Sequence, residues 1–291
     1  MGAGHPTRAF LMRAPHNRSA ILRRHALPAL CLYALCLYGP LAHAQSSGSD
    51  FKKLTLAICE DQDEWPPYSW LERKNGQKTD KVVGYAMDVI DSIFARHGIQ
   101  YKISLIPWSR CLAELRHGQQ YQMALNLSWS EERANTYLLS RAYYSTTNYY
   151  YYSRKKFPNG LPINSVADLK QYPVCGILGY NYTTYGFKPG EIDQSAKSFE
   201  SLIAKLHLGR CTLFLEKNEV MTGFGAIGKP YLDDENLGRA PVPGMAPTPF
   251  HLGISRALPQ GLALQTLLDR ELGLMEESGQ LQALWKKVAG N

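Results

Sequence analysis

The chain has 291 residues, 45% of them hydrophobic and 20% charged, with a formal net charge of +7. Five arginines (Arg8, Arg13, Arg18, Arg23 and Arg24) and no acid fall in the first 44 residues, which leaves 27 basic against 25 acidic residues beyond them. That near-neutral remainder lacks the basic face that nucleic acid selects, and it is long enough for two compact lobes.

The basic start leads into an apolar run, Leu27 to Leu41, and then Ala42-His43-Ala44. This order describes a secretory signal cleaved after Ala44. Pro28 and Pro40 bound the run, which falls short of the roughly 20 residues a membrane span needs. The predicted location of the mature product is therefore the periplasm.

From Leu54 onward strands and helices alternate, which predicts an α/β fold with mainly parallel sheets. Leu54–Ile58 reads as a strand and is followed by Trp65-Pro66-Pro67-Tyr68. Met87–His97 reads as a helix, because Met87, Ile90, Ile93 and Phe94 repeat at helical spacing. Strand 101–106 follows, then helix 109–117 with Ser109 as cap and Gly118 as stop, then strand 121–127. The tyrosine run between Thr147 and Arg154 reads as a long extended segment. Ser165 to Asp168 reads as a capping box. Beyond it come strand 174–178, helix 198–208 and strand 211–215. Gly223-Phe224-Gly225 reads as a turn. A Pro- and Gly-rich stretch over 241–249 leads into strand 250–255, and helices continue to Val288.

Four cysteines remain after the signal: Cys59, Cys111, Cys175 and Cys211. An even count in an oxidising compartment favours two disulfides, with three pairings open. There is no C-x-x-C and no paired histidine, so no metal is expected. No nucleophile elbow, zincin motif or P-loop is present, and no cofactor is expected. The chain reads as a binding protein rather than an enzyme.

The densest functional signal lies at Asn126-Leu127-Ser128-Trp129-Ser130-Glu131-Glu132-Arg133. Ser130 is placed to cap a helix and Arg133 falls in its first turn, so backbone N–H groups and a guanidinium face one spot, an arrangement suited to a small carboxylate. Together with Trp65-Pro66-Pro67-Tyr68 and Gly84-Tyr85-Ala86-Met87-Asp88-Val89, the ordered set resembles the extracellular solute-binding protein family 3. The resemblance runs from about residue 51 to 289. It implies a bilobal periplasmic-binding-protein fold of type II with a two-crossing hinge, lobe 1 being 45–149 with 250–291 and lobe 2 being 150–249.

The resemblance also implies roles. Trp65 and Tyr68 fall where the family places an aromatic wall, and Trp108 at the cleft edge. Asn126 and Ser128 align with polar ligand contacts, and Arg133 with the carboxylate clamp. Tyr180 and Asn181 stand in Gly179-Tyr180-Asn181-Tyr182, which replaces the family's usual Gly-Thr-Thr turn at a helix start in lobe 2. The family fold makes 175 and 211 neighbours, which selects the pairing Cys59–Cys111 and Cys175–Cys211. One departure stands out. Where amino acid receptors carry aspartates, this chain has Thr212 and then Lys217, with Glu216 one step off. A lysine facing an ammonium repels it, so either Glu216 takes over or the ligand is not a standard α-amino acid. If the segment stays a strand, Glu216 and Lys217 point to opposite faces.

The implied function is capture of a small, carboxylate-bearing solute for an ABC permease in the inner membrane, by a protein acting as a monomer. The alternatives are an enzyme on the same fold, of dehydratase or lytic type and with Glu216 as its acid/base group, or a receptor for a membrane signalling protein.

Overall fold

The computed structural model describes residue 51 and residues 54–290. The signal segment expected over 1–44 lies outside the described residues. In chain order the first elements are β1 (Thr55–Asp61), the hairpin β2 (Trp70–Lys74) and β3 (Gln77–Val83), α1 (Tyr85–His97), β4 (Gln100–Ile106) and α2 (Trp108–His117). They are followed by β5 (Met123–Ser128), α3 (Glu131–Thr136), β6 (Tyr137–Leu139), β7 (Tyr144–Thr146) and β8 (Asn148–Ser153). Then come β9 (Val174–Ile177), β10 (Asp193–Ala196), α4 (Phe199–His207), β11 (Leu213–Lys217) and α5 (Asn218–Ala226). The last are β12 (Leu237–Pro241), β13 (Thr248–Ser255), α6 (Gly261–Glu277) and α7 (Gln280–Ala289).

Two sheets organise these elements. The first has the order β4-β1-β5-β13-β6, with β7 also pairing to β13; the second has the order β10-β9-β11-β8-β12. The expected parallel strands form a trio in each sheet, β4-β1-β5 and β10-β9-β11. The strands that carry the chain between sheets, β8 and β13, run antiparallel to their neighbours, so both sheets are mixed. This is the bilobal arrangement with two crossings. The chain leaves the first sheet at Thr146, joins the second at Asn148, and returns at Thr248, which pairs with Thr146.

Local chemistry explains where the elements stop. Gly98 and Gly118 end α1 and α2 in the left-handed conformation that spares a Cβ clash. The predicted apolar face of α1 is buried, as Met87, Ile90, Ile93 and Phe94 show. The helix begins two residues earlier than expected, because Gly84, at φ 130°, lets its backbone pack on the carbonyl of Tyr68; a Cβ there would come within 2.4 Å of that oxygen. Ser198, expected as the first helical residue, caps α4 instead, accepting from the N–H of Ser201.

The capping box expected over Ser165 to Asp168 forms and opens a 3-10 stretch, Val166–Gln171, with Asp168 accepting from the N–H of Ser165. Two expectations are corrected. Helix α2 starts at Trp108 with Pro107, not Ser109, at the cap position. Gly223-Phe224-Gly225 lies inside α5 rather than in a turn.

Both disulfides form as paired above, Cys59–Cys111 with Cα atoms 5.6 Å apart and Cys175–Cys211 with 5.7 Å. They close spans of 52 and 36 residues, and each contributes roughly 4 kcal/mol by chain-entropy arithmetic. No helix among the described residues is long and apolar enough to cross a membrane.

Candidate functional site

Between the two sheets lies a cavity whose open volume is about 40 Å³, room for roughly three waters. Its lobe 1 wall carries Glu60, Asp61, Trp65, Trp108, Asn126, Ser128, Arg133 and Phe250; its lobe 2 wall carries Tyr180, Asn181, Tyr182, Tyr185, Leu215, Glu216 and Lys217. Contacts from Tyr180 to Asp61, from Asn181 to Ser128 and from Arg133 to Gly179 join the two walls.

Ser130 caps α3, its Oγ accepting the backbone N–H of Arg133 at 3.1 Å. The guanidinium of Arg133 is buried. Its Nη1 donates to the carbonyl and hydroxyl oxygens of Ser128 at 3.1 and 3.0 Å, and its Nη2 donates across the cleft to the carbonyl of Gly179 at 3.1 Å. It lies 6.0 Å above the ring of Trp108. Burial lowers its pKa to about 10, still well above neutrality. These contacts use three of the five N–H donors of an arginine, and the others are uncommitted among the described residues.

Glu60 organises the lobe 1 wall. Its carboxylate accepts from the N–H of Leu125 at 2.7 Å and of Asn126 at 3.1 Å, from the Asn126 amide at 2.7 Å and from the Ser69 hydroxyl at 3.1 Å. Burial raises its pKa and those four bonds oppose the rise. The carbonyl of the Asn126 side chain accepts from Tyr144 and Tyr143 at 2.8 and 3.1 Å. Asn126 is therefore a wall residue whose amide is already satisfied.

Polar groups of the two lobes meet at the boundary. Tyr180 donates its hydroxyl to Asp61 at 2.8 Å, and burial pushes the Asp61 carboxyl up to about 7. Asn181 donates to the Ser128 hydroxyl at 3.2 Å and to the carbonyl of Trp129 at 2.8 Å. Trp65 stands edge-on to Tyr180, with ring centroids 5.4 Å apart. Beside the cavity, Asp63 accepts the first free N–H of α4, that of Phe199, at 2.7 Å, and burial raises the Asp63 carboxyl to about 6.

Glu216 and Lys217 overturn one expectation: both line the cavity. β11 runs to Lys217, two residues beyond the predicted strand, and ends there, so the alternation of faces stops with them. Glu216 accepts the N–H of Lys217 at 2.7 Å through one oxygen, and its other oxygen is buried without a partner among the described residues. Burial pushes both side chains toward neutrality, against their mutual attraction. The Lys217 ammonium is held elsewhere, by Asn148 at 2.5 Å and by Tyr185 and Thr248 at 3.2 Å. All three acceptors are neutral, so its donors are occupied while its charge remains at the cavity wall.

Tyr68 is a second correction. It is fully buried in lobe 1, stacked between Tyr144 at 3.9 Å and Trp285 at 5.4 Å, and takes no part in the cavity. The tight turn, in which Tyr68 N–H meets the Trp65 carbonyl at 2.8 Å, sends the two aromatic rings to different places. Sequence reading missed Glu60, Asp61, Tyr182, Tyr185 and Phe250. The acidic run Glu60-Asp61-Gln62-Asp63-Glu64 at a strand end was the signal for the first two. Among the described residues no His, Cys, Asp and Glu cluster could hold a metal ion.

Two lobes joined by two crossings, with a cavity of aromatic and charged side chains between them, define a type II bilobal binding protein. The chain belongs to the bacterial extracellular solute-binding proteins, family 3, which it matches over residues 56–291. No curated protein matches the sequence. Among solved structures it resembles an arginine-, lysine- and histidine-binding protein from Geobacillus stearothermophilus, at 17% identity and a TM-score of 0.62, covering 81% of this chain and 96% of that one. It also resembles an amino acid ABC transporter substrate-binding protein from Streptococcus pneumoniae bound to L-arginine, at 18% identity and a TM-score of 0.60, covering 81% and 94%. An ancestral amino acid-binding protein, a precursor of cyclohexadienyl dehydratase, is similar at 17% identity and a TM-score of 0.59, covering 82% and 97%.

Proposed function

We propose that the protein is a periplasmic receptor that closes its lobes (45–149 with 250–291, and 150–249) over a small solute carrying both a carboxylate and a cationic group, and delivers it to an ABC permease. One observation carries this reading. A buried arginine with uncommitted donors faces two buried carboxylates, Asp61 and Glu216, in one interlobe cavity. Arg133 suits the ligand carboxylate. Asp61 and the unpartnered oxygen of Glu216 suit an ammonium or guanidinium, which would restore the charge that burial suppresses. The relatives named for arginine, lysine and histidine bind ligands of that charge pattern.

The test is a thermal-shift screen of residues 45–291 against amino acids, amines and organic acids. A basic or zwitterionic amino acid should raise the midpoint, and simple amines or dicarboxylates should not. A screen in which only organic acids stabilise would remove the cation from the proposal. Secretion is tested by intact mass, which should show a start at Gln45 and four hydrogens missing.

A second reading has one observation behind it: Asp61 titrates near neutrality inside the interlobe cavity beside Glu216, as an acid/base pair would. Overnight incubation with each stabilising compound, read by mass spectrometry, separates the two. Unchanged ligand keeps the binding reading.

A further inference from the structure

The junction between β11 and α5 holds three consecutive residues that all grip the crossing segments. The Lys217 ammonium donates to Asn148 at 2.5 Å on the outward crossing and to Thr248 at 3.2 Å on the return crossing. The N–H of Asn218 donates to the carbonyl of Thr147 at 3.1 Å. The Glu219 carboxylate accepts from the N–H of Thr147 at 2.9 and 3.0 Å and from its hydroxyl at 2.8 Å. The two crossings are also tied to each other. Thr248 donates to Asn148 at 2.8 Å, and the Asn148 amide donates to the carbonyl of Ala246 at 2.8 Å.

Lys217 is the unusual member. It is 5% exposed, yet its three N–H donors all have acceptors, the third being Tyr185 at 3.2 Å, whose ring lies 4.7 Å from the ammonium. A buried ammonium is retained only where its donors are met and a countercharge is near. Glu216 and Glu219, on either side in the chain, are that countercharge. Because Glu216 lines the cavity, the residue facing the ligand and those holding the hinge are contiguous in sequence.

We infer that residues 217–219 form a hinge clamp, with Lys217 as a positioning residue that couples Glu216 in the cavity to both crossing segments. The inference rests on the two-crossing hinge and on no particular ligand. Lys217 holds the relative placement of the lobes, and with it the position of Glu216. Removing the ammonium takes away the side-chain ties from β11 to Asn148 and Thr248 and the cation beside Glu216.

The test uses ligand-free protein, residues 45–291, with Lys217→Met and the milder Thr248→Val. Native-state hydrogen exchange is read at the amides of Asn218 and Val242, which bond to the carbonyls of Thr147 and Asn148. Exchange at both should quicken about ten-fold in Lys217→Met and less in Thr248→Val, while amides of β1 and β5 hold. Small-angle scattering should show a larger radius of gyration for Lys217→Met. A variant with a lower melting temperature but unchanged local exchange and radius would reduce Lys217 to a packing residue and overturn the clamp. If Lys217→Met fails to fold, Thr248→Val alone decides, since unchanged exchange at Asn218 and Val242 in that variant also overturns it. A failed ligand screen leaves this result untouched.

Discussion

The two walls of the cavity are built on different principles. In lobe 1 a central set of polar groups is satisfied within the lobe: Glu60 takes four donors, Asn126 is bonded at both ends, and Ser128 accepts from Arg133. None of those bonds crosses the cleft. In lobe 2 the contacts reach outward. Tyr180 bonds to Asp61, Asn181 to Ser128 and Trp129, and the Gly179 carbonyl to Arg133. Lobe 1 thus carries a wall held by its own hydrogen bonds, and lobe 2 reaches it across the cleft.

The largest effect should come from the centre of the lobe 1 wall. Glu60→Ala leaves the N–H groups of Leu125 and Asn126 buried without acceptors, and should destabilise by roughly 3 to 5 kcal/mol in urea unfolding. A loss below 1 kcal/mol would show that lobe 1 does not depend on this network.

Arg133→Ala should leave the fold standing and weaken binding of any solute found by the screen by about 2 to 5 kcal/mol, measured by calorimetry. Part of that loss comes from the contact to Gly179, so the variant also bears on closure. Affinity equal to that of the unaltered protein would remove Arg133 from the site.

Gly223→Ala addresses closure alone. The α carbon of Gly223 packs on the Pro66 backbone across the cleft, and a Cβ would lie 2.6 Å from the Pro66 carbonyl carbon and oxygen. Overpacking of this kind costs about 1 to 3 kcal/mol. It should fall on the closed state, enlarging the radius of gyration in scattering while thermal stability holds. A drop in melting temperature with an unchanged radius would place the strain within a lobe.

The smallest effect is a pH dependence. Asp61 and Asp63 bond across the cleft, and burial raises their carboxyls to about 7 and about 6. Once the lobes part, water restores them to the ordinary range near 4. The closed form therefore holds more protons than the open form between about pH 4 and 7, and closure strengthens as pH falls through that window. Scattering at pH 8 and pH 5 should show the protein more compact at pH 5, and Asp61→Asn should flatten the difference. A radius that grows on acidification would reverse the assignment.

How much of this was legible follows from the range over which each signal acts. The helical repeat of Met87, Ile90, Ile93 and Phe94, the cap at Ser130 and the stop at Gly118 are local, so α1, the start of α3 and the end of α2 could be read directly. Strand β11 was placed two residues early, because its end depends on pairing with β8, where Glu216 and Lys217 face Tyr149 and Asn148. The β2–β3 hairpin escaped notice because its strands are charged and exposed; only Asn75-Gly76, at φ 52° and 78°, marks its turn.

The sequence by itself determined the alternating α/β plan and an even number of cysteines, through short-range periodicity, capping and composition. Its resemblance to the family, carried by an ordered set of motifs, added the choice among the three cysteine pairings and the expectation that Trp65, Trp108, Asn126, Ser128, Arg133, Tyr180, Asn181 and Glu216 stand near one cleft. Only the tertiary structure decided that Tyr68 stacks within lobe 1, that Glu60 supports the wall, that Asp61 and Glu216 approach each other, and that Lys217 reaches the hinge. Those outcomes join residues tens of positions apart, through burial and charge pairing that no local pattern encodes.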